Sequence, residues 1–268
     1  MIEVVQFDDE IGCVKTGTGR EGQVMMWVYA YQVGDLLFDA GCANAAEEIR
    51  NYASGSPIQR VVVSHTHEDH YGGCAVLADK ATIFAISSAI REIREPPKLN
   101  IFFQSVWGQP KPVEDVEQLP STLSVGSKEF EVISLPGHYE DMIGLYEAER
   151  GWLFSADAVP LPSEKQISMS EENVPLMIAT MEKILALDVK ILFDGHRGPI
   201  REPEAHIRRR VDYLRALQNR VKKMFEEGKS ISEIKNILAF KEPFYLPWTE
   251  GRFSIEYLIK SLLGNQSK

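Results

Sequence analysis

The stretch SHTHEDHYGG, residues 64–73, decides how this chain is read. Three of the chain's six histidines fall in it, His65, His67 and His70, with Asp69 among them and Gly72 and Gly73 behind. The run leading in, IQRVVVSH (58–65), is short, apolar and β-branched, the pattern of a buried strand. The histidines therefore begin where a strand ends, and His65 and His67, two apart, can point the same way. Imidazole and carboxylate are good donors to zinc and related first-row metals. Four donors in one short segment exceed the about three protein ligands a single catalytic ion takes. Two ions sharing the segment is the economical reading.

Further donors should then stand at the ends of other strands. His138 lies in SLPGHYED after KEFEVISL, Asp157 in FSADAV after GWLFS, and His196 in LFDGHRG after KILF. Each follows an apolar strand and sits in a turn containing Gly or Ala. The set becomes His65, His67, Asp69, His70, His138, Asp157 and His196. His206, in a helical stretch with no donor near it in sequence, reads as an ordinary surface or core histidine.

The succession HTHEDH, PGH, SAD and DGH resembles the metallo-β-lactamase fold superfamily in its hydrolase branch, over residues from about 24 to 200. The resemblance implies an α/β (α+β) fold, a four-layer αββα sandwich with metals at one rim of two packed sheets. It implies two divalent ions, zinc first, with iron or manganese as alternatives. His65, His67 and His138 would hold one ion, Asp69, His70 and His196 the other, and Asp157 would bridge them. The DAG at Asp39 matches an early motif whose aspartate supports the metal loop from behind. The implied activity is hydrolysis of a thioester, ester or lactone through a hydroxide shared by the metals, with Asp69 also passing a proton to the leaving group. Tyr139 is a candidate donor to a substrate carbonyl, with plain packing as the competing reading.

The ligand types narrow the branch. True β-lactamases of the superfamily usually lack the bridging aspartate and are exported, whereas this chain has Asp157 and shows no signal-peptide pattern. The diiron flavoproteins usually carry Glu where this chain has His67. What remains resembles glyoxalase II and the acyl-homoserine lactonases. The chain departs from both: GHYED stands where GHTPG is common, Pro160 stands where lactonases often place a tyrosine, and no basic glutathione-binding cluster is evident. Two alternatives stay open: a mononuclear-iron persulfide dioxygenase using His65, His138 and Asp157, and a phosphodiesterase.

Around these motifs strands and helices alternate to about residue 200, and from Pro203 the pattern is helical to the end. We therefore expect a catalytic unit over 1–200 and a C-terminal helical extension over 201–268. Ser230 and Glu233 mark a capping box. Between 95 and 120, Pro96, Pro97, Pro110, Pro112 and Pro120 argue against regular structure, and Phe102, Phe103 and Trp107 suggest a lid or substrate wall favouring a partly apolar acyl group. Formal net charge is −10, which disfavours nucleic acid as a partner. No run approaches the about 20 apolar residues of a membrane span. Cys13, Cys42 and Cys74, too few for a disulfide framework, fit a reducing, cytoplasmic setting, with Cys42 and Cys74 read as buried and unreactive. The expected partner is a small-molecule substrate; a homo-oligomer stays open.

Overall fold

The computed structural model describes residues 1–20 and 23–264. The first sheet contains β1 (Ile2–Gln6) and β2 (Ile11–Thr16). A small separate hairpin follows, β3 (Gly19–Arg20) with β4 (Gln23–Val24). The first sheet continues with β5 (Val28–Val33), β6 (Leu36–Phe38), β7 (Arg60–Val62), β8 (Thr82–Ala85) and β9 (Val116–Gln118), in the order β1-β2-β5-β6-β7-β8-β9. The second sheet contains β10 (Thr122–Val125), β11 (Lys128–Ser134), β12 (Ile143–Glu147) and β13 (Trp152–Ala156). After the short β14 (Ser168–Met169) come its last strands, β15 (Ile191–Asp194) and β16 (Gly198–Arg201).

Period-two alternation sorts the side chains of the first sheet into two cores. Cys13, Tyr31, Val33, Leu36, Phe38 and Val62 turn towards the second sheet, where Phe154 and Phe193 stack at 4.4 Å. Val14, Ala30, Leu37 and Val61 turn the other way, onto α1 (Ala46–Ser54), α3 (Cys74–Leu77) and α4 (Ser87–Arg94). The second sheet's outer side is covered by α6 (Val174–Ala186), with α7 (Glu204–Glu226), α8 (Ile231–Leu238) and α9 (Ile255–Leu263) closing the same core. The result is the αββα sandwich that the resemblance implied.

Most strand pairs are antiparallel, but β6 to β9 run parallel, and so do β13 and β15. In open sheets, ligands gather outside the carboxyl ends of parallel strands. Asp39 follows β6, His65 follows β7, Asp157 follows β13 and His196 follows β15. Both sheets thus deliver donors to one rim. A register shift between Phe154 and Ala156, with Ala156 at φ 45°, re-aims the chain just before Asp157.

Two expectations need correction. Within 95–120 the chain forms α5 (Ile101–Val106) and β9. The prolines all lie outside α5, and the Asn100 side chain caps it by accepting from the Phe103 N–H at 3.0 Å. The C-terminal part is not helical throughout. Residues 240–254, with Pro243, Pro247 and Gly251, carry no α-helix, only a 3-10 turn over Leu246–Thr249, and β17 (Phe253–Ser254) pairs antiparallel with β14. Residues 265–268, also expected to be helical, lie outside the described ones. The capping box is present: Ser230 Oγ accepts from the Glu233 N–H, and the Ser230 N–H donates to Glu233 Oε2 at 2.8 Å. Among the described residues, no helix is long and apolar enough to cross a membrane.

Candidate metal centre

His65 and His67 lie on the loop leaving β7, and Asp69 and His70 sit in a single helical turn, α2 (Glu68–Tyr71). Gly72 and Gly73 let that turn close. A Cβ on Gly72 would stand 2.4 Å from Ala43 N, and one on Gly73 2.2 Å from Ala40 O. The seven expected residues converge in three overlapping sets: His65, His67 and His138; His65, His70 and Asp157; Asp69, His70 and His196. In each, the donor atoms lie within 4.8 Å of one another.

The outer nitrogen of every one of these histidines faces a partner. His70 Nδ1 lies 2.8 Å from Asp39 Oδ2 and His65 Nδ1 2.9 Å from Ser64 Oγ, which itself donates to Asp39. His138 Nδ1 lies 3.0 Å from Glu172 Oε1, His67 Nε2 3.5 Å from Glu171 Oε1, and His196 Nδ1 2.9 Å from the Trp27 carbonyl. For His65, His70, His138 and His196 these hydrogen bonds place the proton on the outer nitrogen and leave a lone pair pointing inward, while at His67 the Glu171 carboxylate, 3.5 Å away, favours the proton on Nε2 without a hydrogen bond. His65 Nε2, His67 Nε2, His70 Nε2 and Asp157 Oδ1 are buried without a hydrogen-bond partner. His67 Nδ1 and His138 Nε2 face each other at 2.9 Å. Inward lone pairs and buried unpaired atoms are costly unless a cation engages them. The donor set therefore fits divalent metal.

The local field agrees. Burial depresses the basicity of His65 well below the ordinary histidine value, and neighbouring histidines add to this. Burial works against charge on His196 too, but Asp157 and Asp69 overcome it and hold that group up at about 9. His70 is likewise held well above its ordinary value by Asp157, Asp69 and Asp39 against the effect of burial. The carboxylates thus create a field at this rim that favours positive charge, which a bound cation would supply in place of protons on His70 and His196.

A comparison with known protein families matches residues 19–196 to the metallo-beta-lactamase superfamily. This chain belongs to that superfamily. Members of the metallo-beta-lactamase superfamily are metal-dependent hydrolases. Solved structures share the fold. A metallo-beta-lactamase from Pontibacter korlensis superposes with a TM-score of 0.64 at 16% identity, covering 80% of this chain and 99% of that one. A beta-lactamase domain protein from Burkholderia ambifaria gives 0.69 at 15% identity, covering 97% and 87%. Two hydroxyacylglutathione hydrolases of Legionella pneumophila, strains Corby and Paris, are 23% identical over 135 residues and 24% over 139. Each match takes in 50% of this chain and 47% of the relative, so the chain spans about half the length of those relatives.

Within this metallo-beta-lactamase frame, a cavity of about 240 Å³ opens onto His67, Asp69, His138, Asp157 and His196. Phe103, Trp107 and Phe253 form part of its apolar wall, and the Trp107 ring lies 6.2 Å from that of His196. The 95–120 segment thus supplies a wall of the site. Among the described residues, the lysine and arginines lining the cavity are all engaged: Lys165 with Glu172 at 2.7 Å, Arg197 with Asp194 at 2.5 Å, and Arg252 with Glu68 at 2.9 Å. Tyr139 packs beside the donors, its ring 5.1 Å from that of His67. Its hydroxyl donates to Glu92 and accepts from Thr66, each at 3.0 Å, and the ring lines a neighbouring cavity of about 290 Å³. That hydroxyl is held within the protein and does not line the cavity that Asp157 lines.

Sequence reasoning missed Glu171, Glu172, the Trp27 carbonyl and Gly195. Two adjacent acids before a helix carry no spacing signal, and a carbonyl has no side-chain identity to read. Gly195 had a cue in DGH: a Cβ there would lie 2.3 Å from Asp157 Oδ1 and 3.0 Å from His70 Cε1.

Proposed function

We propose that this chain is a dinuclear metal hydrolase of a neutral, partly apolar acyl thioester, ester or lactone. The carrying observation is the convergence of seven donors with inward lone pairs beside a cavity whose wall is apolar and whose cations are already paired. Two divalent ions, zinc first and iron or manganese as alternatives, would supply an activated water and a Lewis acid for the carbonyl. His65, His67 and His138 would hold one, Asp69, His70 and His196 the other, and Asp157 would be shared.

The protein's own part is placement and exclusion. The outer partners keep each imidazole lone pair aimed inward, so the donors need little reorganisation. Phe103, Trp107 and Phe253 exclude water from one side of the acyl group. Asp69 Oδ2 lies 3.4 Å from His196 Nε2 within the donor set, and the second oxygen of that carboxyl is the proposed carrier of a proton to the leaving group. Full activity in Asp69→Asn at full metal content rules that role out.

The curated relatives are named for a glutathione thioester, whose peptide carries carboxylates. With Lys165, Arg197 and Arg252 committed to acids, we expect neutral acyl groups to be preferred here. The test is elemental analysis of chelator-free protein, then hydrolysis of neutral acyl thioesters, esters and lactones against glutathione thioesters and phosphodiesters. About two metals per chain with selective hydrolysis of the neutral acyl compounds supports the reading. A single iron, with oxygen consumed in the presence of a persulfide, replaces it by the dioxygenase reading. Selective cleavage of phosphodiesters replaces it by the phosphodiesterase reading.

A further inference from the structure

The segment preceding α9 reaches back to the donor loop. Arg252 immediately precedes β17, where Ser254 pairs with Ser168 and Phe253 with Met169, and its carbonyl accepts from the Ser170 N–H at 3.3 Å. That pairing places Arg252 beside residues 171–172. Its Nη1 donates to both oxygens of Glu68, at 2.9 and 3.1 Å, and its Nε to Glu171 Oε1 at 3.2 Å. The same Glu171 oxygen lies 3.5 Å from His67 Nε2. The guanidinium lies over the Phe103 ring, 4.7 Å from its centroid, and Glu68 is only 6% exposed.

We propose that Arg252 is a positioning residue for the His67 half of the donor set, acting through Glu171 and Glu68. This rests on the metal-site reading above. Glu68 sits in sequence between His67 and Asp69, so one guanidinium grips the backbone turn that carries both donors and the carboxylate behind one of them. Without a cation between them, Glu68 and Glu171 would repel, and Glu171 would be free to swing from His67 Nε2. His67 would then lose the carboxylate 3.5 Å behind Nε2 whose charge favours the proton there, and with it the bias towards an inward lone pair on Nδ1. The planar fork suits two carboxylates at once in a way a lysine ammonium does not. His138 has a parallel arrangement through Glu172 and Lys165, so adjacent acids serve two different histidines. The C-terminal extension, on this proposal, organises the donor site as well as closing the core.

The test compares wild type, Arg252→Gln, Arg252→Lys, Glu171→Gln and the Glu171→Gln/Arg252→Gln double variant. Zinc affinity is read by competition with a chromophoric chelator, the cobalt(II) absorption spectrum reports coordination, and the thermal midpoint of the metal-free protein reports folding. Arg252→Gln is expected to weaken one of two metal equivalents by about 10–100-fold and alter its cobalt spectrum. Arg252→Lys should recover part of the affinity, Glu171→Gln should reproduce the loss, and the double variant should lose little more than either single one. Wild-type affinity and spectrum in both single neutral variants, or losses that multiply in the double variant, overturn the proposal. Should Arg252→Gln not fold, Glu171→Gln decides alone: unchanged affinity there removes the link. If wild type takes up no metal, the functional reading itself falls and this proposal with it. Normal wild-type uptake with unaffected variants sinks only the proposal.

Discussion

Replacing Asp39 by Asn tests whether the donors are held from behind as the structure implies. Asp39 is 1% exposed and accepts three hydrogen bonds: Ser64 N–H at 2.8 Å, Ser64 Oγ–H at 2.9 Å and His70 Nδ1 at 2.8 Å. An amide of the same shape presents one oxygen and one NH₂, so at least one of those donors must meet another donor. Losing a charge-assisted hydrogen bond costs about 1.5–3 kcal/mol. Burial, which already pushes the Asp39 carboxyl up, makes its charge expensive, and Asn removes that expense, so the low end applies. For a protein of this size that corresponds to a fall of roughly 3–6 °C in the thermal midpoint of the metal-free protein. The larger effect falls on the donor set. If the amide NH₂ faces His70, the imidazole proton moves to Nε2 and its inward lone pair is lost. We expect one metal equivalent to weaken by about 10–100-fold, read by chelator competition, while the second is held more nearly as in wild type. Two equivalents bound with wild-type affinity by Asp39→Asn would refute the reasoning.

Other perturbations probe the same structure. Gly195→Ala places a methyl 2.3 Å from Asp157 Oδ1 and should cut metal uptake while leaving far-UV circular dichroism near wild type; unchanged uptake counts against a shared role for Asp157. Cys13, Cys42 and Cys74 are buried, and burial raises their thiols, that of Cys13 to about 11, so all three should resist a thiol reagent at pH 8 and react in denaturant. Rapid labelling of native protein would contradict this. Burial, followed by Arg210, Arg197 and Arg209, lowers His206 to about 4. Between its unfolded value of about 6.5 and about 4, only the unfolded chain takes up that proton, so stability falls on acidification by up to about 1.4 kcal/mol per pH unit. Urea midpoints measured from pH 7 to 4 should fall less steeply in His206→Gln, and equal slopes would exclude the effect.

The parts of the site legible in the sequence are those where chemistry and strand ends coincide. HTHEDH announces itself because four donors crowd into one turn, and His138, Asp157 and His196 because each follows an apolar run. Asp39 was readable from its turn after LLF. Glu171 and Glu172 were not, since their partners His67 and His138 lie far away in sequence and the acids reach them only once β14 pairs with β17. The same long-range pairing hid the departure from helix at 240–254. The helix at 101–106 was hidden by the prolines around it, although its Asn100 cap was present in the sequence. Tyr139 follows His138 in sequence, and its ring lies 5.1 Å from that of His67 while lining the cavity bounded by Glu92 and His65.

The arrangement of charge explains why the outer layer is built as it is. Of the six carboxylates in and behind the donor set, Glu172 is paired with Lys165 and Glu68 and Glu171 share Arg252, whereas Asp39, Asp69 and Asp157 face histidines. Buried carboxylates without a cationic partner are expensive. Uncompensated negative charge therefore concentrates at the donors, where it favours a cation, and is offset by Lys165 behind His138 and in part by Arg252 behind His67. Lys165 and Arg252 thus orient the imidazoles without adding net charge to the rim. On the proposed function, the same pairing withdraws those cations from substrate recognition and leaves the apolar wall of Phe103, Trp107 and Phe253 to select what enters.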